Sequence, residues 1–159
     1  MKRLLEEKQR QDYYGEMGIV LERTGIPRIA GKIFSYLILS AKTEVSTDEL
    51  MEGLHASRGS ISTMTRMLIQ MGLVDRVGIS GERKDYFRIR PGTMTNVIKA
   101  KMATIIEFHT VIEHGLSLVQ QKNTVAYTRL KEMHEFYSFI EREFPSLFER
   151  WEEYQKTLK

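Results

Sequence analysis

The chain has 159 residues, 42% hydrophobic and 28% charged, which supports one compact domain, or one small domain plus an appendage, and excludes wholesale disorder. It contains no cysteine. Disulfides, thiolate catalysis, Cys-ligated zinc and iron–sulfur clusters are therefore excluded, and a reducing, cytoplasmic address is the natural expectation. The net charge of +3 is unevenly spread: residues 55–101 carry 9 Lys/Arg against 3 Asp/Glu, while both flanks are slightly acidic, so a phosphate-facing surface is sought in the middle third.

The first element is a helix to about Thr24, with Tyr14, Met17 and Leu21 on one stripe. Its opening, MKRLLEEKQRQDYY, lacks the apolar stretch of a signal peptide. No apolar run in the chain approaches the roughly 20 residues of a membrane span, so no membrane partner is expected. Gly25 ends this helix and Pro27 suits the first turn of the next. That second helix, PRIAGKIFSYLILSA, carries Ile29, Ile33 and Leu37, flanked by Phe34 and Ile38, and reads as the central buried helix. Ser46 and Glu49 form an S-x-x-E capping box. A short helix follows from near Thr47, with Leu50, Met51 and Leu54 inward, and ends around His55. Ser57 caps a further helix, Arg58 to Met71, whose Ile61, Met64, Leu68 and Met71 share a face; Gly72 stops it.

Alternation then predicts strands from about Leu73 to Ile79 and from Tyr86 to Arg90, with a hairpin tip between them and Pro91–Gly92 after. Met94, Ile98, Met102, Ile105, Ile112 and Leu116 form a long helical stripe. After a polar break at QQKNT, Leu130, Met133, Tyr137, Ile140, Phe144, Leu147, Trp151, Tyr154 and Leu158 form another. Pro145 interrupts it, predicting two helices or one sharply kinked helix.

Two short helices joined by about three residues and followed by a hairpin form a winged helix-turn-helix pattern. The fold class expected is mainly α, an α+β winged helix flanked by N- and C-terminal dimerisation helices. Its segments are 1–24, an N-terminal helix joining the dimer interface; 25–92, the winged domain; and 93–159, a helical dimerisation region. Stepping 100° per residue from Ile61 places Gly59, Ser62, Thr63, Arg66 and Gln70 opposite the core face. They are small or hydrogen-bonding, with no acidic residue from Arg58 to Gln70. Arg66 suits guanine O6/N7, Gln70 suits adenine, and Ser62 and Thr63 suit either. Ser57, Arg58 and Ser60 lie where a helix start meets phosphate. Arg83 and Lys84 sit at the wing tip, residues 79–85, with Arg76, Arg88 and Arg90 on the strands. The expected function is a sequence-specific transcriptional regulator, with helix 58–71 in the major groove of double-stranded DNA and the wing at the backbone or minor groove. A winged-helix protein-interaction module and an RNA-binding winged helix are the alternatives.

The stretches GIPRIAGKIFSYLIL, STDELMEGLHASRGSISTMTRMLIQMGLVDRV and GERKDYFRIRPG resemble the GbsR branch of the MarR-type winged-helix transcriptional regulators. The resemblance runs from about Gly25 to Gly92 and is most specific at G-x-P-R-x-A-G-K and S-R-G-S-I-S. It implies a homodimer on a palindromic promoter site, with terminal helices building the dimer. The sequence departs from the general helix-turn-helix pattern at Met51, where a small Ala is usual, and at His55, where a turn glycine is usual.

The two late stripes exceed what one winged domain can cover. Met102, Ile105, Ile112, Leu130, Tyr137, Ile140, Phe144 and Trp151 are the candidate dimer contacts. His109, Glu113 and His114 share one helix, and three residues of one helix rarely complete a metal shell, so neither metal nor cofactor is expected. No phosphate loop or catalytic triad is visible, and an enzyme is not expected. Tyr127, Phe136, Tyr137, Phe139, Phe144, Phe148, Trp151 and Tyr154 read first as dimer core and second as a cage for a small cationic effector.

Overall fold

The computed structural model describes residues 2–158; Met1 and Lys159, the outer ends of the two terminal segments, lie outside the described residues. In chain order the elements are α1 (Lys2–Glu22), α2 (Arg28–Leu39), β1 (Val45–Ser46), α3 (Thr47–Leu54), α4 (Arg58–Gln70), β2 (Val74–Val77), β3 (Tyr86–Ile89), α5 (Thr93–Leu118) and α6 (Val125–Thr157). The chain divides into two compact units, one ending at Val97 and one beginning at Ile98. The fold is mainly helical with a small three-stranded antiparallel sheet, the arrangement of a winged helix.

In the first unit α2 is the buried centre: Ala30, Gly31, Ile33, Phe34, Ser35 and Leu37 are all buried. Each large apolar side chain so buried contributes about 1.5–3 kcal/mol. The G-x-P-R-x-A-G-K stretch has a structural account. Gly25 takes φ +89° in the turn after α1. Arg28 donates to Glu22 Oε2 from Nε and Nη2 at 3.1 and 2.7 Å, tying the two helix ends together. Ala30 is fully buried. Gly31 lies so near Gly18 that a Cβ there would stand 2.8 Å from the Gly18 Cα. α1 and α2 thus cross backbone to backbone. Ile38, read as flanking the apolar face, is 44% exposed, because it falls on the last turn where α2 leaves the core.

α3 starts with the complete capping box: Ser46 Oγ accepts from Glu49 N at 3.2 Å and Ser46 N donates to Glu49 Oε2 at 2.9 Å. It ends at His55 in the left-handed region, φ 50° and ψ 42°, its N–H directed at the Met51 and Glu52 carbonyls. Ser57 then caps α4, its hydroxyl accepting from Ser60 N at 3.2 Å. Ile61 and Leu68 bury completely against α2 and α3. Met71 does not join them: it is the C-terminal cap of α4 and 39% exposed. Thr65, unremarked in the sequence, is buried instead; its hydroxyl donates to Ile61 O at 2.8 Å, which removes the cost of burying it.

The sheet has order β1-β3-β2, all antiparallel. The strands are shorter than the alternation predicts, and β1 has no counterpart in the sequence pattern. Its two residues pair Val45 with Phe87 and Ser46 with Tyr86, a long-range pairing with no local pattern.

In the second unit α5 and α6 run antiparallel: Lys99 donates to Glu152 at 3.1 Å, His109 meets His134 at 2.8 Å, and Gly115 lies under Leu130. Of the two outcomes predicted at Pro145, two helices or one sharply kinked helix, the chain forms no break: α6 is a single helix with Pro145 inside it. Contacts to α5 on both sides of the proline, from Glu141 and from Phe148 and Glu152, hold its two halves in place. Among the described residues, no helix is long and apolar enough to cross a membrane.

Candidate nucleic-acid interface

α4 has its inner face fixed by Ile61, Thr65 and Leu68, all buried, so its outer face is determined. Ser62, Thr63, Arg66 and Gln70 are all exposed on it, as are Ser57 and Arg58 at its start, while Ser60 is half-buried. The backbone N–H of Ser60 is already engaged by the Ser57 cap. Among the described residues Arg66 has no ion-pair or hydrogen-bond partner.

Between α4 and the wing lies a cleft of about 240 Å³ whose lining includes Arg58, Ser62, Arg66, Arg76 and Asp85. Three guanidinium groups therefore line one concavity beside the outer face of α4. Arg76 is held by Asp85, with Nε donating to Oδ1 at 2.9 Å. Arg88 and Arg90, the other strand cations, are drawn instead to Asp75, at 3.8 and 2.7 Å.

Asp48, in the first turn of α3, carries no signal in the sequence pattern. Its two oxygens bind Arg58 at 2.7 Å and Lys84 at 2.8 Å, so one carboxylate joins the start of α4 to the wing. Lys84, followed by Arg58, holds the Asp48 carboxyl below its ordinary range, and Asp48 in turn raises Lys84. Nothing local announces this bridge, because it depends on where the wing lands. Lys84 is thus tied down, whereas Arg83 is exposed and has no partner among the described residues. The turn is closed by Gly81 at φ +85° and by Glu82 N donating to Ile79 O at 3.0 Å.

The candidate dimer residues fall differently. Met102 and Ile112 are buried within the chain; Ile105, Leu130, Tyr137, Ile140 and Phe144 are half-buried; Trp151 is 40% exposed. Ile106, Phe108, Val111, Phe136, Phe139 and Leu147 of the same unit are each more than 40% exposed. The α6 aromatics meet in pairs, such as Phe144–Phe148 at 5.8 Å, and two already carry a cation of the chain: Lys99 over Phe148 and Arg142 over Phe139.

A helix-turn-helix with a non-acidic outer face beside a cationic hairpin defines the class, a winged helix-turn-helix protein. Residues 92–154 match the family described as MmpR5-like MarR family transcriptional regulators. The chain is 30% identical over 130 residues to the HTH-type transcriptional regulator MmpR5 of Mycobacterium tuberculosis, covering 82% of this chain and 79% of that protein. A crystal structure of a transcriptional regulator superposes with a TM-score of 0.73 at 28% identity, covering 91% of this chain and 99% of that one. The reduced form of MarR from E. coli is more distant, with a TM-score of 0.42 and 18% identity over 83% of this chain and 94% of that one. The chain belongs to the MmpR5-like MarR family of transcriptional regulators.

Proposed function

We propose that this regulator binds a palindromic promoter site as a homodimer, with α4 in the major groove and the wing at the backbone or minor groove. The observation that carries this is the outer face of α4: Ser62, Thr63, Arg66 and Gln70 are exposed together, with no acidic neighbour on the helix and Arg66 uncommitted. Arg66 reads guanine O6/N7, Gln70 reads adenine, and Ser62 and Thr63 adjust to either. Ser57, Arg58 and Ser60 address phosphate, and Arg83 and Lys84 extend that contact along the wing. Asp48 holds Arg58 and Lys84 in place before DNA arrives. Action on promoter DNA puts the protein in the cytoplasm.

The second copy would cover the outer apolar side chains of α5 and α6, since Met102 and Ile112 are already buried inside the chain. A two-fold dimer then sets two α4 helices about one DNA turn apart. The finer placement in the GbsR branch rests on the stretches around Gly25–Lys32 and Ser57–Ser62.

A gel shift with the DNA upstream of the regulator's own coding sequence tests the reading, run at several salt concentrations with duplex and structured-RNA competitors. Tight, sequence-selective, salt-dependent binding to duplex is expected. Preference for structured RNA would establish the RNA-binding alternative. Binding to neither would leave a protein-interaction module.

A further inference from the structure

The α5–α6 pair brings together four titratable side chains that the DNA reading does not use. His109 and Glu113 stand one turn apart on α5, and His134 and Glu141 stand seven residues apart on one face of α6. His109 is buried, its side chain 6% exposed. Its Nδ1 lies 2.8 Å from Glu141 Oε1, and its Nε2 lies 2.8 Å from His134 Nδ1 and 3.2 Å from Ser138 Oγ. Glu113 Oε1 is 3.9 Å from His134 Nδ1. One ligand atom from each of His109, Glu113 and His134 lies within 4.8 Å of the other two.

We propose that the protein binds one divalent first-row transition-metal ion, of which Zn²⁺ is the representative, through His109 Nε2, His134 Nδ1 and the Glu113 carboxylate. Glu141 acts as the positioning residue.

The chemistry starts at His109. A neutral imidazole carries one N–H, and a carboxylate facing Nδ1 fixes that proton there. Nε2 is then a lone pair aimed at the cluster. Such a carboxylate–histidine pairing orients a metal ligand and raises its basicity. The nitrogens of His109 and His134 stand too close to face each other with two lone pairs. Either a proton or a metal ion bridges them, and Glu113 places a third ligand atom where a metal ion could use it.

The distances suit a metal. Tetrahedral Zn–N and Zn–O bonds of about 2.0–2.2 Å put ligand atoms roughly 3.3 Å apart. The 2.8 Å between the two histidine nitrogens is shorter than that, the 3.9 Å from Glu113 to His134 is longer, and no pair exceeds 4.8 Å, so side-chain rotations that bring Glu113 inward complete the set. Glu113 and Glu141 together supply the two negative charges that offset a divalent cation. Two imidazoles and a carboxylate suit zinc, nickel, cobalt or copper rather than magnesium or calcium. The cluster opens to solvent through His134 and Glu113, whose side chains are 34% and 55% exposed. That leaves an entry path from solvent, which would supply water as the fourth ligand. His114, next to Glu113, is exposed and outside the cluster, so the site could not be assembled from the α5 sequence alone.

The test uses untagged full-length protein, stripped with chelator and titrated with Zn²⁺ against a chromophoric competitor. One Zn²⁺ per chain is expected, and Co²⁺ at the same site should give the visible spectrum of a tetrahedral nitrogen–oxygen environment. His134→Ala and Glu113→Gln, both at solvent-accessible positions, should each weaken binding at least about tenfold, and Glu141→Gln about 10–100-fold without removing a ligand. His114→Ala should bind like the parent protein. Absence of stoichiometric Zn²⁺ binding would overturn the proposal. So would affinities unchanged by His134→Ala and Glu113→Gln in proteins of undiminished helicity, leaving the cluster a hydrogen-bonded histidine pair.

Discussion

Alanine at Gly31 should cost stability that alanine at Gly15 returns. A Cβ at Gly31 would stand 2.8 Å from Gly18 Cα, 3.2 Å from Met17 O and 3.3 Å from Leu21 Cβ. Carbon contacts are comfortable at about 3.5–4.0 Å. Two of these three neighbours are backbone atoms that no rotamer change can move, so α1 and α2 must part by several tenths of an ångström along their crossing. Overpacking of this kind costs about 1–3 kcal/mol, and the better helix propensity of Ala returns up to about 1 kcal/mol. The net loss expected for Gly31→Ala is about 1–2 kcal/mol. Gly18→Ala should lose a similar amount, its Cβ meeting Arg28 O at 2.9 Å. Gly15 is also in α1 but has nothing within 4 Å, so Gly15→Ala should gain about 0.5–1 kcal/mol. Urea unfolding at one fixed protein concentration reads all three as midpoint shifts at constant slope. If Gly31→Ala proved as stable as Gly15→Ala, the helices would not cross backbone to backbone and the account of the G-x-P-R-x-A-G-K stretch would be wrong.

Arg66→Ala should weaken specific DNA binding by about 1–3 kcal/mol and relax preference at one base pair per half-site; a uniform loss across sequences, measured by anisotropy, would make Arg66 a phosphate contact. The double change Arg83→Ala with Lys84→Ala should lower affinity for all sequences and flatten the salt dependence, by about one counterion for each phosphate that goes unneutralised; an unchanged slope would take the wing off the DNA. His55→Gly should raise stability by about 0.5–1 kcal/mol, because it relieves a left-handed residue more than it loosens the unfolded chain; a lower urea midpoint would contradict this. Lys42, then Ser46, hold the Glu49 carboxyl below its ordinary value of 4.5. Its stabilisation is therefore complete above that value and lost as pH falls through the lower folded value. Glu49→Gln should then be less stable than the parent near neutrality and converge with it in acid; a constant difference down to low pH would refute the assignment.

Much of this was legible because it is local. The capping box at Ser46 and Glu49, the Ser57 cap, and the inner face of α4 through Ile61 and Leu68 follow from spacing alone, and each appears where spacing put it. Departures fall at element ends. Ile38 and Met71 continue an apolar stripe in sequence, but the helix has left the core by the time it reaches them. What stayed hidden depends on the phase and placement of distant elements. Asp48 becomes a bridge only when the wing brings Lys84 beside it. β1 exists only because β3 offers it a partner. His134 joins His109 only through the rotation of α6 against α5, which no stripe of hydrophobic residues encodes.

Selecting DNA from a random pool with the purified protein tests the central claim most directly. The account predicts enrichment of an inverted repeat whose half-site centres lie about one helical turn apart, roughly 10–10.5 base pairs. With Arg66→Ala the same selection should lose information at one symmetric pair of positions. A pool that shows no enrichment, or a single asymmetric site, would contradict a two-fold dimer reading DNA through α4.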